Sequence, residues 1–140
     1  MKTIEFPVMR MNVLYTLNSL SDPSYQIQRW VNHEKYGSID EVVHCLFDDS
    51  CFEREPRRML KKLLFDETEA DRIKVVMNQI DKLFETYGKD LSDADYIAKR
   101  EWRDIMSSAQ AALNAMKEND LRYMEPAQRA ELYNRYNIAE

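Results

Sequence analysis

Glycine and proline are scarce in this chain, with two and four among 140 residues, and cysteine and histidine number two each. With Gly37 and Gly88 as the only glycines, neither a P-loop nor a dinucleotide fingerprint can be written, because both need several glycines to bring backbone N–H groups onto a phosphate. Cys45 and Cys51 are too few for a four-sulfur metal site, and in a reducing compartment they are expected as thiols. Uninterrupted apolar runs stop at triplets such as Leu63-Leu64-Phe65 and Val75-Val76-Met77, so no membrane span is expected. The start, Met1-Lys2-Thr3-Ile4-Glu5-Phe6-Pro7, carries one basic residue and an acid inside what would be the apolar stretch of an export signal. A cytoplasmic protein is the expectation. Repeats, low-complexity segments and Gly/Ser or Pro-rich linkers are also missing, which points to one domain over residues 1–140.

What is present is an ordinary hydrophobic share, 44%, and an excess of 25 acidic over 20 basic side chains, for a net charge of -5. A chain of this size hides about two thirds of its unfolded surface, enough for a core without staples. Net negative charge repels nucleic acid and steers encounter with basic partners. Direct nucleic-acid binding is not expected.

The apolar residues recur at three and four, and no segment alternates with period two, so an all-α fold is expected, a single-domain bundle of about six or seven helices. Pro7 opens a first helix with Val13, Leu14, Leu17 and Leu20. Asp22-Pro23 opens a second, with Ile27, Trp30 and Val31 on one side and an end near Gly37. Ser38 and Glu41 make a capping box for a short third helix that stops around Asp49-Ser50. Pro56 is expected to start a basic helix with Met59, Leu60, Leu63 and Leu64. Asp66 and Glu69 cap the clearest one, which runs from Ile73 through Val76, Met77, Ile80, Leu83 and Phe84 to a stop at Gly88. Ser92 and Asp95 cap the run from Trp102 to Met116, and Pro126 begins a last helix with Leu132, Tyr133 and Tyr136. The two longest helices are expected to build the core.

The segment from Tyr36 to Phe52 holds the densest chemistry. On a helix, Asp40, His44 and Asp48 project from successive turns, a stripe that could hold a divalent cation or orient a histidine base. The plainer reading is that acids in a first turn suit the helix dipole and that a histidine bonded to a carboxylate is a packing element. One helix supplies too few ligands for a metal, and no HExxH motif completes it. His44 and Cys45 are sequence neighbours about 100° apart on a helix, badly placed for proton transfer, and Cys45 is expected in the core. Arg54, Arg57, Arg58, Lys61 and Lys62 form a basic tract between acidic clusters and are expected to be a solvated face. Trp30, Tyr36, Phe47 and Phe52 flank several acids, a mixture suited to a protein interface, with core packing the default for Trp30 and Phe47.

Two stretches carry a resemblance. Gln28-Arg29-Trp30-Val31 with the run from Tyr36 through Val42-Val43-His44-Cys45-Leu46-Phe47-Asp48-Asp49 resembles an AVHxLFDD-like signature of small bacterial helical proteins. Leu91-Ser92-Asp93-Ala94-Asp95-Tyr96-Ile97, Glu101-Trp102 and the run Ala109 to Met116 resemble that family's second block. Together they span roughly residues 9–116, and the chain after 117 lies outside. The group is similar to immunity proteins of contact-dependent growth inhibition systems, the CdiI type, which bind and block a toxin domain. The resemblance implies a protein that is not an enzyme, needs no cofactor or metal, and covers a basic toxin nuclease, by analogy an EndoU-like ribonuclease. The expected contact surface is Asp40, Glu41, Asp48, Asp49 and Glu53 as charge partners, with Tyr36 and Phe52 as anchors. The alternatives are a regulatory or scaffold bundle and a small metal-dependent hydrolase using His44.

Overall fold

The computed structural model describes residues 2–32 and 38–140. Among them are seven α-helices and no strand: α1 (Pro7–Ser21), α2 (Pro23–Tyr25), α3 (Ile39–Val43), α4 (Glu67–Tyr87), α5 (Asp93–Ile97), α6 (Glu101–Tyr123) and α7 (Pro126–Arg135). Two further segments wind as π-helix, Gln26–Val31 after α2 and His44–Asp49 after α3. The protein is all-α. Helix α6 lies between α1 and α4 and packs on both, so the core has three long walls rather than two. Val13, Leu14, Leu17 and Leu20 of α1 meet Ile105, Ala109, Ala112, Leu113 and Met116 of α6, all buried. The small Ala109 and Ala112 let the helices approach closely.

The caps form where the residue types demand them. Ser38 accepts from the Glu41 N–H at 3.2 Å, Asp66 from the Glu69 N–H at 3.0 Å, and Ser92 from the Asp95 N–H at 3.2 Å. Each relieves an N–H that has no carbonyl partner in a first turn. Gly88, at φ 79°, stops α4 in the left-handed region that glycine enters without steric cost.

Three further sequence expectations need correction. The helix expected from Pro56 is a single 3₁₀ turn, Pro56–Met59. Lys61 turns left-handed, at φ 69°, and its N–H donates to the Leu64 carbonyl at 2.8 Å, so Leu63 and Leu64 both enter the core from a tight loop. The run capped by Ser92 is broken: α5 ends at Ile97 and α6 starts at Glu101. The second helix does not bury Ile27, which is 46% exposed; its π winding puts Gln26 and Trp30 inside instead. The end expected near Gly37 lies outside the described residues.

Arg10 dominates the centre. It is fully buried, and its guanidinium donates to Glu69 Oε1 and Oε2 (2.9 and 2.7 Å), Asp120 Oδ1 (2.8 Å) and the carbonyls of Leu63 (3.0 Å) and Met116 (3.1 Å). Phe65 N–H and Asn119 Nδ2 complete the acceptors of Glu69, and Tyr133 Oη donates to Asp120 Oδ2 at 2.5 Å. One cation thus ties α1 to α4, α6 and the 60s loop, while Tyr133 adds α7. Burial pulls the guanidinium pKa down, and the bonds and charges of Glu69 and Asp120 more than reverse it.

Burial raises the Asp120 pKa above 3.8, against the opposing pull of Arg10 and Tyr133. An acid raised by folding binds its proton in the native state first, so on acidification Asp120 adds stability between its folded pKa and its unfolded one. A carboxyl ¹³C titration should therefore place Asp120 above the ordinary aspartate range, and Tyr133→Phe should move it higher still by removing a donor to the charged form. A midpoint at or below 3.8 would contradict this account of the cluster.

Candidate functional site

Four of the expected contact residues, Asp40, Glu41, Asp48 and Asp49, sit on one element, α3 and the π-helical turn that follows it. Ile39, Val42 and Leu46 anchor this element in the core, leaving Asp40, Glu41, His44, Asp48 and Asp49 exposed along its outer side. His44 Nδ1 lies 2.9 Å from Asp48 Oδ2, and both side chains are mostly exposed, at 71% and 62%. The ridge is therefore solvated and its histidine is held by one carboxylate. Among the described residues no group of three or more His, Cys, Asp or Glu side chains is placed to share a metal ion.

The acids divide into two rows. Asp40 and Asp48 line a groove of about 620 Å³, whereas Glu41 and Asp49 line a smaller cleft of about 180 Å³ against Tyr15, Thr16 and Ser19 of α1. Glu53 lies beyond the ridge, 3.3 Å from Arg58. Cys45, half-buried in the smaller cleft, directs its Sγ to the Asn12 carbonyl at 3.6 Å, and burial pushes its thiol pKa up, away from nucleophilic thiolate.

Phe52 is not a surface anchor. It is fully buried, pulled inward because Ser50 Oγ bridges the Leu46 carbonyl (2.8 Å) and the Phe52 N–H (3.2 Å), while Cys51, Glu53 and Arg54 take left-handed φ values around it. That turn drops the phenyl ring into the core and leaves Glu53 outside. Tyr36, the other expected anchor, lies outside the described residues. Trp30 is buried, as its default reading held; Phe47 is half-buried and lines the groove.

The larger groove has walls that sequence reasoning did not join. One is Ile39, Asp40, Val43, Phe47 and Asp48; the other is Asp81, Phe84 and Glu85 of α4 with Lys89, Leu91, Asp93 and Tyr96 beyond Gly88. Five carboxylates thus line it against two cations, Arg54 and Lys89. Tyr96 stacks edge-on against Phe84 at 5.4 Å and donates to the Gly88 carbonyl at 2.5 Å, which fixes the far wall. The Ile39 N–H reaches Asp93 Oδ2 at 3.5 Å, so the two resemblance-bearing stretches, 36–50 and 91–97, meet across this groove. Their separate likeness in sequence was the available signal. Asp81 and Glu85 carried none, being unremarkable acids on the outer face of a long helix.

Among the described residues no helix is long and apolar enough to cross a membrane. No curated protein and no solved structure matches the chain. A family model described as Domain of unknown function (DUF7945) matches residues 4–123, from the N-terminal segment to the last residue of α6, with α7 beyond it. The span covers the core, the ridge and both walls of the groove, and by that match the chain belongs to the DUF7945 family.

Proposed function

We propose that this protein is not an enzyme but a cytoplasmic immunity protein, which binds a basic bacterial toxin nuclease domain and neutralises it by covering its active site. The observation that carries this reading is the acidic ridge, on which Asp40, Glu41, Asp48 and Asp49 stand exposed on an element whose other side is locked into the core. A preformed surface loses little conformational freedom on binding, and exposed carboxylates offer the kind of negative charge that a nuclease grips in the phosphates of its substrate. Glu53, exposed beside the ridge, is paired with Arg58 and adds little net charge to it. Toxin nucleases that grip a phosphate backbone are basic, so opposite charge speeds their encounter with such a ridge.

The test is co-expression and co-purification with any nuclease toxin domain found encoded in the neighbouring gene, followed by binding kinetics at two salt concentrations. The double variant Asp48→Lys, Asp49→Lys should associate at least about tenfold more slowly at low salt and lose most of its salt dependence, because steering scales with the charge facing the partner. Unchanged affinity and salt slope would reject the ridge as the toxin-binding surface, and cells left unprotected by the unaltered protein would reject the immunity reading.

A further inference from the structure

The groove beside the ridge already holds a guanidinium, and it belongs to the protein itself. Arg54 lies over the Phe47 ring at 5.0 Å from its centroid and pairs with Asp81 on the opposite wall. Its side chain is nonetheless 65% exposed, and its backbone, at φ 66°, belongs to a turn with three left-handed residues, held by the Lys74 ammonium on the Arg54 carbonyl. A ring on one side and a carboxylate on the other are the two surfaces that a planar guanidinium fits and an ammonium fits less well.

We propose that the groove between Phe47 and Asp81 is a reading site for an arginine side chain of the partner protein, and that Arg54 occupies it in the free state as an internal stand-in. The partner's arginine takes the place over Phe47 and the charge of Asp81, and Arg54 swings out into solvent. The excess of carboxylates along the walls, with Asp48 on the near side and Glu85 on the far one, leaves the groove net negative even with Arg54 in place, so it attracts a further cation. Val43, Phe84 and Leu91 supply an apolar surface for the methylene stem of the arriving side chain. The inference rests on the proposed function only for the partner being a basic protein; the arginine site itself stands on the groove.

The full chain, titrated with an acetylated nonapeptide alternating arginine and serine and with its lysine counterpart, tests this directly. Binding should favour the arginine peptide by about tenfold, with the largest NMR shifts at Phe47, Asp81 and Phe84. Arg54→Ala should tighten the arginine peptide several-fold more than Lys89→Ala does. Both variants remove one positive charge from the groove, so equal gains would reduce the effect to net charge and overturn the displacement. Asp81→Asn, at a partly exposed position that does not threaten folding, should abolish the preference, and Phe47→Leu should do the same in a protein that stays folded, as far-UV circular dichroism would check. Equal affinity for the two peptides overturns the proposal. So does full neutralisation of the toxin by Asp81→Asn and Phe47→Leu variants that have lost the arginine preference. Failure of the unaltered protein to protect cells, with the peptide preference intact, instead rejects the immunity reading and leaves the arginine site standing.

Discussion

Arg10→Met is expected to remove about 3–5 kcal/mol of stability, a large part of the roughly 5–15 kcal/mol that holds a domain of this kind together. The methionine fills much of the same volume, so the loss is not one of packing. It comes from Glu69 and Asp120, two buried carboxylates left facing each other without their cation, and from the Leu63 carbonyl, which loses its Arg10 donor. Urea denaturation monitored by tryptophan fluorescence would measure it. Arg10→Lys keeps the charge but not the planar fork, which reaches four acceptor groups at once, so it should fall between the two. Neutralising the stranded acids, by adding Glu69→Gln and Asp120→Asn to Arg10→Met, should recover part of the loss. A cost below about 1 kcal/mol for Arg10→Met would mean that water or a backbone shift replaces the guanidinium, and the cluster would not be what joins α1 to α4 and α6.

The second large effect is expected at Trp102. Its ring is buried edge-on against Trp30 at 5.9 Å, and its Nε1 donates to Gln26 Oε1 at 3.0 Å. Gln26 in turn donates to the carbonyls of Ser19 (3.0 Å) and Leu20 (2.9 Å) in the last turn of α1, where the Ser19 carbonyl otherwise receives only the long Asp22 N–H bond at 3.4 Å. Trp102→Ala should cost about 3–5 kcal/mol through lost apolar burial and the cavity left behind. Trp102→Phe separates the two contributions: the ring is largely retained, yet Gln26 Oε1 is left buried without a donor, for about 1–3 kcal/mol. Combining Trp102→Phe with Gln26→Leu removes donor and acceptor together, and the double-mutant cycle gives their coupling. Additive costs would show that the π-helical turn is held to α6 by packing and not by this hydrogen bond.

Both clusters were hidden in the sequence for the same reason. Arg10 sits between Met9 and Met11 on a helix whose apolar spacing reads correctly without it, and Glu69 reads as the ordinary third residue of a capping box. Asp66 does accept from the Glu69 N–H, but the Glu69 carboxylate is turned inward to Arg10 and the Phe65 N–H. Asp120 and Gln26 carry no local pattern at all. Burial of such groups becomes tolerable only when partners 59 to 110 residues away arrive with matching geometry, and one-dimensional spacing does not contain that match. The same limit applied to the site. Helical spacing located the exposed acids of α3 and its π extension, since a short helix capped by Ser38 with Ile39, Val42 and Leu46 inside must present the others to solvent. It could not foresee that a left-handed turn at Cys51 would bury Phe52.

The all-α class, the caps at Ser38, Asp66 and Ser92, the stop at Gly88 and the outward charge of Asp40, Glu41, Asp48 and Asp49 were settled by the sequence alone, because each depends on interactions within about one or two helical turns. The Arg10 cluster, the tight loop in place of a helix after Pro56, and the groove that sets Phe47 opposite Asp81 were decided only in the tertiary structure. Each requires segments far apart in the chain to meet, and whether a buried charge, a bent loop or a lined groove is stable depends on what the other segment brings.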